Sequence, residues 1–182
     1  MGDVSAATVV AVSSDTAHRF SKTGRPNVRL IENFGIEGDA HAGRFVKHRY
    51  DARRTPGQPN LRQIHLIQCE LFSELNALGF MVQPGEIGEN VTTRNLDLLR
   101  LPLTCRLHLG ASAVVELTGL RTPCGYIDRF QKGLKRAMIV RDQGVTFRAG
   151  VFGVVRHGGI VASGDRVEVE LPQRPWKRLP AL

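Results

Sequence analysis

Short apolar runs rich in β-branched residues recur along the chain, separated by glycine-containing turns. Val9 to Val12, Val28 to Ile31, Ile64 to Ile67 and Val91 to Thr93 read as strands. Arg106 to Leu109 and Ala113 to Thr118 predict a pair joined tightly through Gly110-Ala111-Ser112. Val151 to Val155 and Arg166 to Glu170 predict another, with turns at His157-Gly158-Gly159 and Gly164-Asp165. One segment follows a different period. Leu71, Leu75 and Leu78 recur at spacings of four and three, and Gly79 ends the run, so Glu70 to Leu78 predicts a helix. Two shorter helical pieces fit near 125–130 and 134–140. Ser21 to Pro26 is loop chemistry, Gly35 to Gly43 must turn sharply on three glycines, and Val82 to Asn90 is a turn leading into a strand.

Many short strands, few helices and no βαβ alternation point to a mainly β fold, an antiparallel barrel or sandwich. The chain divides as one domain over 1–171 and an extended basic C-terminal tail over 172–182. That tail carries Arg174, Lys177 and Arg178, and its Trp176 is expected to pack on the domain surface.

Composition narrows the function classes. With 182 residues and 42% apolar content, one domain can bury a sizeable core. No apolar run approaches the roughly 18 residues that cross a bilayer, and the start lacks a basic segment, so a cytoplasmic protein is expected. Three cysteines, Cys69, Cys105 and Cys124, give no close pair and no disulfide framework. The net charge of +8 would suit nucleic acid, an acidic surface or a phosphorylated ligand. It gathers in the tail and in the segment carrying Arg44, Lys47, Arg49, Arg53, Arg54 and Arg62. A non-catalytic basic nucleic-acid-binding module is therefore a rival reading. Against it stand an aromatic content of only 6% and the absence of interleaved stacking residues in the basic segment.

The informative window is Leu117-Thr118-Gly119-Leu120-Arg121-Thr122-Pro123-Cys124-Gly125-Tyr126. A strand ends at Thr118, Thr122 suits a helix N-cap and Pro123 suits the first helical position. Cys124 would then lie in the first helical turn beside Arg121, where the helix dipole and the guanidinium favour the thiolate as nucleophile or metal ligand. The residues equally allow a cysteine that fills a corner under a helix.

Arg-Thr-Pro-Cys at a strand end resembles the cysteine motif of MOSC (molybdenum cofactor sulfurase C-terminal) domains. Gly35-Ile36-Glu37-Gly38-Asp39-Ala40-His41-Ala42-Gly43 is similar to the family's glycine–aspartate–histidine segment. Pro84 to Asn90 resembles its Pro-Gly…Gly-Glu-Asn segment, and Ala149 to Val155 with Gly164-Asp165 its closing hairpin. These blocks occur in family order over about 28–170. The resemblance implies a β-barrel that handles molybdenum cofactor (molybdopterin) through Cys124. That cysteine acts either as a persulfide sulfur carrier or as the molybdenum ligand in the reduction of N-hydroxylated compounds. It further implies a cysteine desulfurase or an electron-donor protein as partner, with pyridoxal phosphate bound by the desulfurase and not by this chain. Thr122 stands where many members carry asparagine.

Within that reading, Arg121 and Arg148 are candidates for the cofactor phosphate, and Asn90 for the pterin edge, since its amide both donates and accepts. Asp39 is expected to cap the glycine turn and His41 to line the pocket mouth. Asp39 and His41 alone make a poor zinc site, which takes about three protein ligands; His48 is the one further candidate.

Overall fold

The structure, a computed structural model, describes residues 6–46, 57–141 and 145–182. Its strands are β1 (Thr8–Ser14), β2 (Thr23–Arg25), β3 (Asn27–Ile31), β4 (Gly35–Ile36), β5 (Ile64–Gln68), β6 (Val91–Arg94), β7 (Arg106–Leu109) and β8 (Ala113–Leu120). They continue with β9 (Ile139–Arg141), β10 (Val145–Phe147), β11 (Val151–His157), β12 (Gly159–Ala162) and β13 (Val167–Glu170). The α-helices are α1 (Glu70–Ala77), α2 (Gly125–Phe130) and α3 (Leu134–Ala137). The mainly β expectation with few short helices is met.

Eight strands form one sheet in the order β13-β7-β8-β11-β5-β6-β1-β2, beside a three-stranded sheet β12-β3-β4 and the pair β9–β10. The ladders do not close into a barrel. Among the described residues one bridge, Thr8 to Arg166, brings β1 to the start of β13, with Val9 N–H donating to Asp165 O at 2.8 Å, Gly164 N–H to Val9 O at 2.9 Å and Val167 N–H to Ala7 O at 2.8 Å. Nor is the sheet purely antiparallel. β5 and β6 run parallel, Leu66 opposite Val91 and Gln68 opposite Thr93, and α1 lies in the connection between them. A βαβ unit is thus present where none was expected. The strands at 151–157 and 167–170 are not partners either: β11 pairs with β5 and β8, and β13 pairs with β7. The glycine-rich stretch between them forms β12, which pairs with β3.

β5 shows why the two-sided reading matters. Leu66 enters one core, with Val9, Leu30, Val91, Leu107, Leu117 and Val151; Ile67 enters a second, with Leu75, Ile87, Ile127 and Met138. Successive strand side chains point to opposite faces, and a strand covered on both sides reads as a continuous apolar run. Each fully buried leucine or isoleucine contributes about 1.5–3 kcal/mol relative to exposure. In α1, Leu71 and Leu75 are buried as predicted, whereas Leu78 lies past the helix end and is 66% exposed.

The tail is anchored, not loose. Leu179 enters the first core. Leu120 N–H donates to Pro180 O at 2.7 Å and Thr122 N–H to Leu182 O at 3.1 Å, so the last residues run beside the end of β8. Trp176 is about half exposed, its indole N–H donating to Pro172 O at 3.0 Å. No described helix is long and apolar enough to cross a membrane.

Candidate functional site

β8 delivers Arg121 and Cys124. After Leu120 the chain leaves the sheet, and Cys124 adopts the extended backbone of an N-cap ahead of α2, with φ −98° and ψ 171°. The cysteine therefore stands one position before the helix and not inside its first turn, and Thr122 is an exposed residue of the connecting loop. Cys124 is half-buried and packs on the second core. The Arg121 guanidinium lies near its sulfur. The same guanidinium donates to Ile87 O and stacks over the Phe20 ring, 5.8 Å from its centroid. Burial draws Arg121 somewhat below its ordinary value. A Cβ placed on Gly125 would meet nothing within 4 Å, so the space beside the first residue of α2 is open.

Beneath this loop lies a group of buried charges. Lys22 Nζ donates to Asp39 Oδ2 at 2.5 Å, both side chains almost fully enclosed. The same oxygen accepts Asn90 Nδ2 at 3.1 Å and Asp15 N–H at 3.3 Å, while Asp39 Oδ1 accepts His41 N–H at 2.9 Å. Burial alone would raise Asp39. The His41 bonds and the Lys22 ammonium outweigh that and hold its carboxyl well below the usual carboxylate range. Glu89, fully enclosed, accepts Gly85 N–H at 2.6 Å and Thr92 O–H at 3.2 Å through Oε1. Its Oε2 has no hydrogen-bond partner among the described residues, and burial pushes its carboxyl up. Burial likewise holds His65 well below the ordinary imidazole value. Its Nε2–H donates to Ala149 O at 2.7 Å, which fixes the neutral tautomer with the proton on Nε2.

Close backbone packing makes this possible. Gly85 and Gly88 have φ of +87° and +88°, and a Cβ on them would fall 2.6 Å from Lys22 O and 2.5 Å from Phe20 O. Only glycine lets the 84–90 turn lie this close to residues 20–22.

The residues singled out from sequence thus have different fates. Arg121 and Thr122 lie beside Cys124. Asn90 is committed inside the protein: Nδ2 also donates to Ser13 O at 3.2 Å, and Oδ1 accepts His65 N–H at 3.1 Å. It acts as a strut between three segments, with no amide edge left for a ligand. Arg148 is ion-paired with Glu74 of α1, which answers its charge without an anion. Asp39 does cap its turn, and it also carries the Lys22 pair. His41 is part-exposed with its ring edge-on to His18 at 5.2 Å. His48 and the basic residues Lys47, Arg49, Arg53 and Arg54 lie outside the described residues. Lys22, Glu89 and His65 carry the buried electrostatics but were not among the sequence candidates.

No three His, Cys, Asp or Glu side chains among the described residues cluster to hold a metal ion. A lone cysteine sulfur flanked by a guanidinium fits a metal that arrives with most of its ligands already attached.

Comparison with known proteins bears on this site. The sequence model of the MOSC domain matches residues 52–168. The chain belongs to the MOSC domain family. Cys124, Arg121, Asn90 and Arg148 fall within the matched stretch, and Lys22, Asp39 and His41 precede it. Among solved structures, the YUAD protein from Bacillus subtilis is similar at 23% identity and TM-score 0.74, covering 92% of the MOSC chain and 97% of its own. YiiM from Escherichia coli is similar at 15% identity and TM-score 0.62, covering 93% and 73%. YiiM from Geobacillus stearothermophilus gives 17% and 0.59, covering 91% and 73%. No curated relative matches the MOSC chain. At these identities the similar structures establish a shared fold.

Proposed function

We propose that this chain binds molybdenum cofactor with Cys124 as the protein's ligand to the metal, and that the bound cofactor reduces N-hydroxylated compounds. The observation that carries the reading is the placement of Cys124: half-buried, beside the Arg121 guanidinium, with open space past Gly125. Thiolate is a soft ligand suited to a sulfur-ligated metal. Packing against the second core holds the sulfur in one place, which suits a fixed ligand better than a group that must travel to a partner's active site. Arg121 is itself fixed by Ile87 O and keeps a positive charge next to the sulfur. Thr122 offers an exposed hydroxyl on the same loop. When bound, the cofactor supplies the redox chemistry; the chain binds, orients and balances charge.

The test is Cys124→Ser in protein made in a cofactor-competent host. Molybdenum should co-purify with the wild type, which, given electrons from a low-potential reductant such as a reduced viologen dye, should reduce an N-hydroxylated test compound to its N–H form and water; the variant should lose both the metal and the activity. Equal metal retention by the variant would overturn the proposal. So would a gain of one sulfur atom on wild-type Cys124 after incubation with a cysteine desulfurase and cysteine, reversed by a thiol reductant, because that outcome identifies a sulfur carrier.

A further inference from the structure

α2, capped by Cys124, forms one wall of a cleft of about 540 Å³, whose other wall is the 15–23 segment. Nothing described above assigns this space a role. Its volume falls in the range that encloses a small organic ligand, about 300–1,000 Å³. Three aromatic rings line it from two separate segments: Phe20 from one wall, Tyr126 and Phe130 from the other. Phe20 and Tyr126 lie nearly parallel with centroids 6.3 Å apart, and Phe20 and Phe130 are 5.8 Å apart. Tyr126 is 58% exposed, a large ring left partly in water at the cleft wall.

The charges are lopsided. Arg19, Lys22 and Arg129 line the cleft against a single carboxylate, Asp15. Lys22 is already answered by Asp39 at 2.5 Å. Arg19 faces Asp15 at 3.8 Å, a long contact for a side chain that is 72% exposed. Arg129 rests over the Tyr126 ring, 4.9 Å from its centroid, and has no carboxylate partner among the described residues. An aromatic wall bearing an unanswered guanidinium recognises a flat ring with a negative group at its edge. The ring buries apolar area against the aromatic side chains, and the guanidinium fork meets a carboxylate with two parallel hydrogen bonds.

We propose that this cleft is a binding site for a planar aromatic carboxylate, with Phe20, Tyr126 and Phe130 packing on the ring and Arg129, assisted by Arg19, meeting the charge. As a statement about binding, this stands on the cleft alone. As a statement about substrate class it rests on the reading of Cys124: an N-hydroxylated aromatic acid held here would lie against the helix that Cys124 heads.

The probe is 2-naphthoate, with the neutral 2-naphthamide as its isosteric control, titrated by calorimetry into the full-length, cofactor-free protein. Naphthoate should bind more tightly than naphthamide, and its advantage should shrink as salt is added. Arg129→Gln should weaken naphthoate roughly fivefold, as for an exposed charge contact, and leave naphthamide unchanged. Tyr126→Ala should weaken both. Both substituted side chains are exposed, and circular dichroism would verify that the variants stay folded. Cys124→Ser should bind naphthoate like the wild type even where it loses molybdenum, so failure of the cofactor reading and failure of this one are separable. Equal affinity for acid and amide, or no binding of either, would overturn the proposal. Loss of naphthoate binding on loading the cofactor would overturn it as a substrate site, because the cleft would then be the cofactor's own seat.

Discussion

The core around Leu66, Leu107 and Leu117 is built mostly from ladder strands and includes Cys105. The core around Ile67, Leu75 and Ile127 is roofed by turns and short helices, and through Phe20 and Ile87 it touches Arg121. The two cysteines mark the contrast. Cys105 is fully enclosed, and burial pushes its thiol up to about 11, which makes it an inert filler. Cys124 lies at the edge of the second core beside a guanidinium. Strands satisfy one another's backbone groups and leave no use for an interior charge. Turns that pack closely leave backbone groups to be satisfied, and the buried carboxylates do so: Asp39 takes the N–H groups of Asp15 and His41, and Glu89 that of Gly85.

The contrast can be broken by substitution. The largest effect is expected from Asp39→Asn, which leaves Lys22 enclosed without its counter-ion; removing one member of a buried pair costs about 3–5 kcal/mol, read by urea denaturation. The wild-type contribution also has a pH signature. The folded carboxyl lies below its ordinary value of 3.8, so the stabilisation is present above that pH and lost as pH falls towards the folded value. Unchanged stability in Asp39→Asn would mean that the second region is no more electrostatic than the first.

Leu107→Ala, in the first core, should cost about 2–5 kcal/mol through lost burial and the cavity left behind, with no dependence on pH between 4 and 8. A pH-dependent loss there would erase the distinction between the two regions. Glu89→Gln should act in the opposite sense and more weakly. The Glu89 carboxyl is raised by burial, so the wild type loses stability as pH rises from the unfolded value of 4.5 towards the folded one. Glutamine keeps the oxygen that accepts from Gly85 and Thr92 and has no charge to lose. Its thermal midpoint should match the wild type near pH 4 and exceed it at neutral pH; parallel curves would refute an enclosed ionisable acid. The smallest change is expected from Arg148→Ala. Its pair with Glu74 is partly in water, and such pairs contribute about 0–1 kcal/mol.

What could be read from sequence follows the same division. The strands at 8–14, 27–31, 64–68, 91–94, 106–109, 113–120, 151–157 and 167–170, the Leu71–Leu75 stripe and the proximity of Arg121 to Cys124 depend on neighbours a few residues apart, and each was legible; 23–25 read as loop and 139–141 as the end of a helix. The open, mixed sheet was not: nothing in Ile64 to Gln68 or Val91 to Arg94 announces that these strands run parallel, and the helix between them looked isolated. Gly159 to Ala162 was hidden by the turn-like glycines before it. Lys22 sits in a Ser-Lys-Thr-Gly run that reads as solvated loop, and its burial depends on Asp39, seventeen residues away. Glu89 looked like a polar residue before a strand, and only the approach of the Gly85–Gly88 turn to residues 20–22 encloses it. Asn90 was noticed for its chemistry, but its partners, Ser13, Asp39 and His65, come from three distant segments.

The seating of residues 179–182 along β8 has a practical consequence. Because Thr122 N–H is tied to Leu182 O, a fluorophore, affinity handle or surface linker attached after Leu182 would emerge within a few ångströms of the cysteine loop. A dye attached at Leu182 should therefore report events at Cys124 through its own emission. By the same geometry, immobilising the protein through a group attached at Leu182 would crowd the mouth of the site.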